Sequence, residues 1–187
     1  MRSKIYVGLV HYPVYNRRNE VVCTSVTNFD IHDISRTCST YDIKAYRLVV
    51  PAEAQKVLTQ RIISYWQEGI GKEYNKDRER AFEFTRVVSS IDEVVEEIEK
   101  EEGEKPLIIT TSAKIFENSI SYKNLSEKIF NDNKPYLLLF GTGWGLTKEV
   151  MDMSSYILEP IRARAKYNHL SVRGAVAIIL DRLLGED

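Results

Sequence analysis

The feature that most constrains this chain is the regular alternation of short apolar runs with longer segments of helical periodicity. The apolar runs, which are typical of buried β-strands, occupy residues 5–10, 46–50, 82–88, 107–111, 135–140 and 155–158. Strands separated by helices form βαβ units, whose strands pair in parallel and need helices on both faces of the sheet. The sequence therefore predicts an α/β fold with a parallel sheet of about six strands, flanked by helices.

Helical spacing of apolar residues predicts helices at residues 32–41, 52–68, 91–103, 125–130 and 172–184. Asp30 is the expected N-cap of the first helix and Ser171 that of the last, which Gly185 follows. The last helix is expected to turn Val172, Val176, Ile179 and Leu183 inward. The inward face of the second helix is expected to comprise Ala54, Val57, Leu58, Ile62 and Tyr65.

Composition narrows the functional classes. The chain has 187 residues, a length that fits one domain over residues 1–187. Because 26 Lys and Arg face 27 Asp and Glu, the sequence excludes a uniformly basic surface. Cys23 and Cys38 form no CxxC pair, and we expect both to be reduced. With no signal-peptide core and no apolar run near the ~20 residues that span a bilayer, we expect a cytoplasmic protein without membrane contact.

Three glycines, Gly141, Gly143 and Gly145, follow the strand at residues 135–140. Glycines allow a backbone to approach a ligand closely, so this loop is expected to border a ligand site. Glu159 lies near the distance at which a dinucleotide fingerprint places its ribose-binding acid, but the spacing G-x-G-x-G does not match that fingerprint. A phosphate-binding P-loop also fails, because Leu146 stands where its second glycine is required.

The C-terminal third carries a family resemblance. Residues 136–146 (YLLLFGTGWGL), 156–161 (YILEPI) and 168–178 (NHLSVRGAVAI) resemble, in order and spacing, the three blocks that form the trefoil knot of SPOUT RNA methyltransferases. Residues 27–37 (TNFDIHDISRT) followed by residues 46–50 look like the first SpoU-type block. This resemblance covers most of the chain and leaves residues 69–104 least accounted for. It implies a knotted fold, a homodimer, an RNA substrate such as tRNA or rRNA, and S-adenosylmethionine (SAM) as cofactor.

The resemblance also assigns residues. Asn28 and Arg36 stand at functional positions of the first block, where Arg36 would stabilise the acceptor or grip an RNA phosphate. The main chain around the glycine loop would hold the adenine. The implied cofactor contacts are Thr111, Ser112, Gly141, Gly143, Leu146, Leu158, Ile161, His169, Leu170 and Ser171.

Two departures from the family pattern leave a second class open. The second block usually contains a Glu where Gly143 and Trp144 stand, and the third usually has Asn where Ser171 stands. The first interpretation is a SAM-dependent RNA methyltransferase. The alternative is a knotted SAM- or RNA-binding protein without turnover.

Candidate acid–base groups lie near the start of the first predicted helix. Asp30, His32 and Asp33 are close in sequence, and Asp33 is the better candidate for a general base. The competing interpretation is that such residues stabilise the helix N-terminus. No set of His, Cys, Asp and Glu has the spacing of a metal site.

Two basic clusters are candidates for RNA contacts. Arg162, Arg164, Lys166 and Arg173 surround Tyr167 beside the expected cofactor site. Within and beside the segment of residues 69–104, Lys72, Lys76, Arg78 and Arg80 accompany Trp66 and Tyr74. For this second cluster, a flexible solvated loop is an equally good interpretation.

Overall fold

The computed structural model describes residues 4–165 and 167–186. The strands are β1 (Ile5–Val10), β2 (Val14–Tyr15), β3 (Val21–Val22), β4 (Ala45–Val49), β5 (Thr85–Val88), β6 (Leu107–Thr110), β7 (Ser119–Ile120), β8 (Tyr136–Gly141) and β9 (Tyr156–Leu158). The helices are α1 (Asn28–Thr40), α2 (Glu53–Gln67), α3 (Ile70–Tyr74), α4 (Lys76–Phe82), α5 (Ile91–Glu102), α6 (Tyr122–Asn131), α7 (Lys148–Asp152) and α8 (Val172–Leu184).

Seven strands form one sheet in the order β5-β4-β1-β8-β6-β9-β7, and every neighbouring pair is parallel. The predicted α/β fold is confirmed, with one strand more than expected. The additional strand, β7, has two residues, too few to show a periodicity in the sequence. Strand β5 begins at Thr85, three residues later than predicted, because Phe82 ends helix α4.

Helices cover both faces of the sheet and bury two apolar clusters. The larger cluster contains buried residues of α1, α2, α4, α6 and α8. The smaller one contains residues of α5 and α7, together with Val14 of the antiparallel β2–β3 hairpin. The hairpin therefore lies over the same face as α5 and α7, next to the end of β1 from which it departs.

Helix α1 begins four residues earlier than the sequence predicted. Its N-cap is Thr27, whose side-chain oxygen accepts a hydrogen bond from the Asp30 backbone N–H at 3.2 Å. The Asp30 carboxylate in turn accepts one from the Thr27 backbone N–H at 3.3 Å, completing a capping box. The prediction of Asp30 as N-cap was wrong because Thr27 offers the same chemistry and Asp30 occupies the third helical position.

The buried face of α2 differs from the predicted one. Ile63 is 0% exposed and Thr59 is buried, whereas Leu58 is 59% exposed and Val57 and Tyr65 are also exposed. Ile62 is half-buried against the larger cluster, as predicted. The prediction was wrong for Ala54, Val57, Leu58 and Tyr65, because α4, from a segment that the sequence left unassigned, packs against both α1 and α2. Tertiary packing against α4 thus selects a different stripe of the helix from the one with the most apolar residues.

Helix α8 agrees with the sequence in bounds and caps. The Ser171 hydroxyl oxygen accepts a hydrogen bond from the Gly174 N–H at 3.3 Å. Val176, Ile179 and Leu183 are buried as predicted, and Val172 is half-buried. This stripe packs within the chain, against α1 and α6.

Substitutions on α2 test which of its faces is inward. We expect Ile63→Ala to lower the free energy of unfolding by about 2–5 kcal/mol, because it leaves a cavity in the larger cluster. Leu58→Ala, the matched control on the exposed face, should change it by about 0.5 kcal/mol or less. Urea unfolding measures both. Equal losses in the two variants would contradict the packing of α2.

Candidate functional site

The carboxyl ends of three neighbouring strands meet at one edge of the sheet. Val10, the last residue of β1, is paired in register with Gly141, the last residue of β8. On the other side of β8, Thr110 at the end of β6 pairs with Leu139. Ligands of parallel α/β sheets bind outside this edge, so the segments that follow these strands form the candidate site.

The β2–β3 hairpin is hydrogen-bonded to the loop that follows β8. The Tyr15 backbone N–H donates to the Gly145 carbonyl at 2.9 Å, and the Trp144 N–H donates to the Tyr15 carbonyl at 2.8 Å. A β-bridge between Val14 and Leu146 extends this pairing. The glycine loop therefore pairs with the hairpin through backbone hydrogen bonds, much as a third strand would.

Contacts within the chain explain two of the three glycines. A Cβ atom on Gly141 would lie 2.8 Å from the Leu146 backbone nitrogen. Gly143 has a φ of 58°, and its Cβ would lie 2.8 Å from the Tyr15 carbonyl oxygen. Gly145 has a φ of 104° but no heavy atom within 4 Å of the Cβ position. Of the three, therefore, Gly145 borders open space, Gly143 allows the loop to pack on the hairpin, and Gly141 allows the loop to turn back on Leu146.

Beneath this loop lies a chain of hydrogen bonds that begins at a buried histidine. His11 Nδ1 is 2.9 Å from Thr24 Oγ1, which is 2.5 Å from Thr142 Oγ1. The Thr142 hydroxyl oxygen is 3.0 Å from the Val10 carbonyl oxygen. The chain links the end of β1, the segment after the hairpin and the glycine loop.

Two directions of proton donation along this chain are possible, because the Val10 carbonyl also accepts from the Thr142 backbone N–H at 3.2 Å. If the Thr142 hydroxyl donates to Val10, Thr24 donates to Thr142 and His11 Nδ1 donates to Thr24, which is the Nδ1–H tautomer. In the reverse direction the buried Nε2 would carry a proton without a partner among the described residues, so we assign the Nδ1–H tautomer, in which Nε2 is an unpaired acceptor.

Burial keeps the His11 imidazole neutral. It lowers the pKa of His11 from 6.5 to about 4, against a smaller opposing effect of the Asp30 charge. A neutral ring is also what the assigned tautomer requires.

The segments after β6 and β9 also meet. Asn168 donates a side-chain hydrogen bond to the Ala113 carbonyl at 3.3 Å. The Glu159 carboxylate accepts from the N–H of Tyr122, the first residue of α6, at 2.9 Å. Between Glu159 and Ser171, the described backbone, residues 160–165 and 167–170, forms no hydrogen bond with other backbone groups.

The predicted cofactor residues border this region. Leu146 and Leu158 are buried, Thr111, Ser112 and Ile161 are half-buried, and His169, Leu170 and Ser171 are exposed. The Thr111 hydroxyl donates to the Leu139 carbonyl at 3.0 Å, and Ser112 Oγ accepts from the Lys114 N–H at 3.1 Å. Thr110 Oγ1 is buried without a partner in the described residues. Unpaired main-chain groups beside apolar side chains fit an adenosyl group, which has polar edges on a flat ring.

The predicted catalytic residues lie on α1. Asn28 and Arg36 are exposed, and their side chains form no hydrogen bond or ion pair within the described residues. They are eight positions apart, about 12 Å along the helix axis. Asp33 accepts a hydrogen bond from Arg173 Nη1 at 3.0 Å, and the Arg173 guanidinium also lies 4.9 Å from the Phe29 ring centroid.

The two other acid–base candidates, Asp30 and His32, make contacts that stabilise the fold. Asp30 belongs to the capping box of α1. His32 contacts the rings of Trp66 and Phe82, with centroid distances of 5.6 and 4.9 Å. Burial lowers the pKa of His32, and the charges of Arg78 and Arg36 act in the same direction. No group of His, Cys, Asp and Glu in the described residues has metal-binding geometry.

The first basic cluster is only partly available for RNA. Arg162 and Arg164 are exposed, whereas Arg173 is tied to Asp33. Lys166 lies outside the described residues. The second cluster lies on α3 and α4 and is not a flexible loop. There Lys72 pairs with Glu79 at 2.8 Å, and the Arg78 guanidinium stacks 4.5 Å from the Trp66 centroid.

Fold and site together define an α/β protein with a ligand site at the carboxyl edge of a parallel sheet. The sequence matches a family described as SAM-dependent RNA methyltransferase over residues 4–185, and the chain belongs to this family. The solved structure of the SpoU methyltransferase AviRb from Streptomyces viridochromogenes, in complex with the cofactor AdoMet, matches with a TM-score of 0.59 and 16% identity. That match covers 98% of this chain and 58% of the other, and it shows the shared fold. The predicted relationship to SAM-dependent RNA methyltransferases is confirmed.

Two relatives in sequence have different lengths. An uncharacterized protein of Aquifex aeolicus is 39% identical over 187 residues, which are 100% of this chain and 91% of that protein. A tRNA (guanine-N(1)-)-methyltransferase of Oleidesulfovibrio alaskensis is 41% identical over 182 residues, which are 97% of this chain. The chain spans only 42% of the length of this tRNA methyltransferase.

Sequence reasoning missed His11, Thr24 and Thr142. The available signal was a histidine directly after the first predicted strand, at the edge where ligands bind. No sequence signal linked Thr24 and Thr142 to His11, because they lie 13 and 131 residues after it.

Thr24→Val tests the hydrogen-bond chain. The substitution removes the central hydroxyl and leaves the His11 Nδ1–H and the Thr142 oxygen without partners, so we expect a loss of about 2–4 kcal/mol in the free energy of unfolding. Thr24→Ser should recover most of it. Thr147→Val is the matched control: Thr147 Oγ1 is buried but unpartnered within the described residues, so its removal should not destabilise. Urea unfolding with equal losses in the two valine variants would contradict the chain.

The neutral histidine predicts a pH dependence. The native pKa of about 4 lies below the ordinary value of 6.5, so the unfolded chain binds a proton between these values that the native chain excludes. Stability should therefore fall as the pH falls, by about 2 kcal/mol from this group between pH 7 and pH 5. His11→Asn keeps a donor near the Nδ1 position but does not titrate. Urea unfolding at both pH values should show a smaller loss in this variant, and parallel losses would refute the assignment.

Proposed function

We propose that this chain transfers a methyl group from SAM to a nucleotide of tRNA or rRNA, and that residues 1–187 act as one methyltransferase domain. One observation carries the proposal. In a chain of the SAM-dependent RNA methyltransferase family, Asn168 joins the segments after β6 and β9 at the carboxyl edge, and the backbone of residues 160–165 and 167–170 forms no hydrogen bond with other described backbone groups.

Binding of SAM would use main chain and apolar side chains. The adenine would contact the backbone of the glycine loop and of residues 160–165 and 167–171, with Leu146, Leu158, Ile161 and Leu170 around it. Thr111 and Ser112 would lie at one rim, His169 and Ser171 at another. The chemistry that SAM supplies is a methyl group on a positively charged sulfur, which retains the bonding electrons as a neutral thioether. The hydrogen-bond chain from His11 to Thr142 would keep the loop in place.

Arg36 would act on the RNA. Its guanidinium is exposed and unpaired in the described residues, so it can grip a phosphate with two hydrogen bonds or stabilise negative charge on the acceptor. Asn28 would position the nucleotide through its amide. Asp33 forms an ion pair with Arg173 at 3.0 Å, so we assign Asp33 the orientation of Arg173 in addition to its earlier candidacy as a base.

The quaternary structure and the path of the chain belong to the same proposal. We infer a C-terminal trefoil knot and a homodimer from the family resemblance. Because the α8 stripe is buried, exposed apolar residues near the N-termini of α1 and α8, Phe29 and Leu170, are the better candidates for the interface. None of the described helices has the length and apolar character that crossing a bilayer requires. Action in the cytoplasm, where tRNA and rRNA reside, remains part of the proposal.

A second candidate function is binding of SAM or RNA without turnover. The loop from Gly141 to Leu146 carries no carboxylate, which favours this candidate. The assay for methyl transfer described next separates the two functions.

Methyl transfer from labelled SAM should be measured on bulk RNA from a strain that lacks the protein, which supplies unmodified acceptor sites. We expect incorporation by the wild-type chain and a reduction of about 10²–10³-fold in Arg36→Gln, in line with the loss of one stabilising charge in a transition state. Arg86→Gln, at an exposed arginine on β5, is the matched control.

Thermal unfolding complements the assay, because SAM at a hundred times its Kd should add about 2.7 kcal/mol of stability. Stabilisation by SAM without incorporation into any RNA would establish the binding protein in place of the enzyme. No stabilisation and no incorporation would refute the enzyme and the SAM-binding protein, and absence of RNA binding as well would refute the second candidate in full.

A further inference from the structure

The tip of the β2–β3 hairpin carries two adjacent arginines on a fixed backbone. The Asn16 N–H donates to the Glu20 carbonyl at 3.0 Å, and the Asn19 N–H donates to the Asn16 carbonyl at 3.0 Å. Asn19 has a φ of 60°, the left-handed conformation that closes a hairpin loop of this kind. Arg17 and Arg18 therefore occupy the two central positions of a closed turn.

The Asn16 side chain stabilises this turn from within. Its oxygen accepts hydrogen bonds from the Arg18 and Glu20 N–H groups at 2.8 and 3.0 Å, and its nitrogen donates to the Glu20 carboxylate at 2.7 Å. The hairpin's carboxylate is thus occupied by an amide. Arg17 and Arg18 are exposed and form no ion pair with any described residue.

An exposed tryptophan accompanies the arginines. Trp144 is 62% exposed, and its backbone N–H is bonded to the carbonyl of Tyr15, two residues before Arg17. Indole rings are usually buried in part, and exposure of this one on a fixed loop leaves a flat apolar face open to solvent. The ring belongs to the same loop as Gly145, which borders the proposed cofactor site.

We propose that Arg17, Arg18 and Trp144, the arginine hairpin surface, bind an unpaired stretch of RNA beside the nucleotide to be methylated. The two guanidinium groups contact backbone phosphates, and a base stacks on the Trp144 indole. This inference rests on the proposed RNA substrate and adds a surface separate from the basic cluster around Tyr167.

The chemistry selects single-stranded RNA over a duplex. Stacking on a side chain needs a base whose face is free, and in a duplex the neighbouring pairs cover both faces. Arg17 and Arg18 form no ion pair with a described residue, so no such pair must break before they bind phosphate. Because the backbone of the turn is already held by hydrogen bonds, it loses less conformational entropy on binding. An acidic protein segment would satisfy the arginines but leave the indole face without a partner.

Salt dependence of RNA binding tests the arginines. For a single-stranded oligonucleotide, each phosphate contact adds about 0.7 to the slope of log K against log salt. Arg17→Gln/Arg18→Gln should therefore lower the slope by about 1.4 relative to the wild-type chain. Arg61→Gln/Arg86→Gln removes the same charge from exposed arginines on α2 and β5 and should leave the slope near the wild-type value.

Fluorescence tests the indole. The chain contains two tryptophans, so Trp66→Phe leaves Trp144 as the reporter. Single-stranded RNA should quench its emission, and a duplex of the same sequence should quench it less. Because Trp66 packs against His32 and Phe82, the difference in quenching between the wild-type chain and Trp144→Phe supplies the same information if Trp66→Phe does not fold.

The outcomes separate this inference from the proposed function. If the wild-type chain methylates RNA while the two double variants share one salt slope, or while Trp144 emission is unchanged by single-stranded RNA, the arginine hairpin surface is refuted and the methyltransferase stands. Binding of a polyglutamate peptide but not of RNA would also refute it. Failure of SAM to stabilise the chain, together with absence of methyl transfer, counts against the proposed function itself.

Discussion

The parallel pairing of β1 with β8 is the interaction on which the rest of the site depends. It places Val10 level with Gly141 although 131 positions separate them, as the two numbers show. The segments that leave these strands therefore start side by side. One continues to the hairpin and α1, the other to the glycine loop, and each completes the other's hydrogen bonds. Without this register, Thr142 could not reach the Val10 carbonyl, and the hairpin could not pair with the loop.

Much of the fold was predictable because it depends on local patterns. The bounds of α8, its Ser171 cap and the strands of the central sheet follow from apolar periodicity and capping chemistry, which act over a few residues. The buried face of α2 was not predictable. Ile63 is inward because α4 covers that side, and the position of α4 is decided by packing between segments distant in sequence. Likewise β7 contributes two residues to the sheet edge, too few to leave a pattern.

In the candidate site, too, features that depend on local patterns could be predicted, and contacts between distant segments could not. Three glycines in one loop indicated the carboxyl edge of the sheet as the candidate site. Two of them are explained by the close approach of Tyr15 and Leu146, and the contact with Tyr15 joins segments that are distant in sequence. The buried histidine shows the limit more sharply. His11 is fixed by Thr24 and Thr142, and its tautomer follows only when these hydrogen bonds and the unpaired Nε2 are considered together. Such a chain is a property of the assembled edge.

The length of the relatives bears on how far the reaction can be specified. The tRNA (guanine-N(1)-)-methyltransferase of Oleidesulfovibrio alaskensis shares 42% of its length with this chain, so more than half of that protein lies outside the match. Either the matching or the non-matching part of that protein can determine which guanine atom, N1 in its name, is methylated. Apart from the Asn28 amide, the proposed RNA contacts are charges and an indole face, among them Arg36, the hairpin arginines and Trp144. The charges and the indole recognise phosphates and any unstacked base, so they position an RNA without reading its sequence. Discrimination among nucleotides must then come from Asn28, from the shape of the site beside the cofactor or from the fold of the RNA itself.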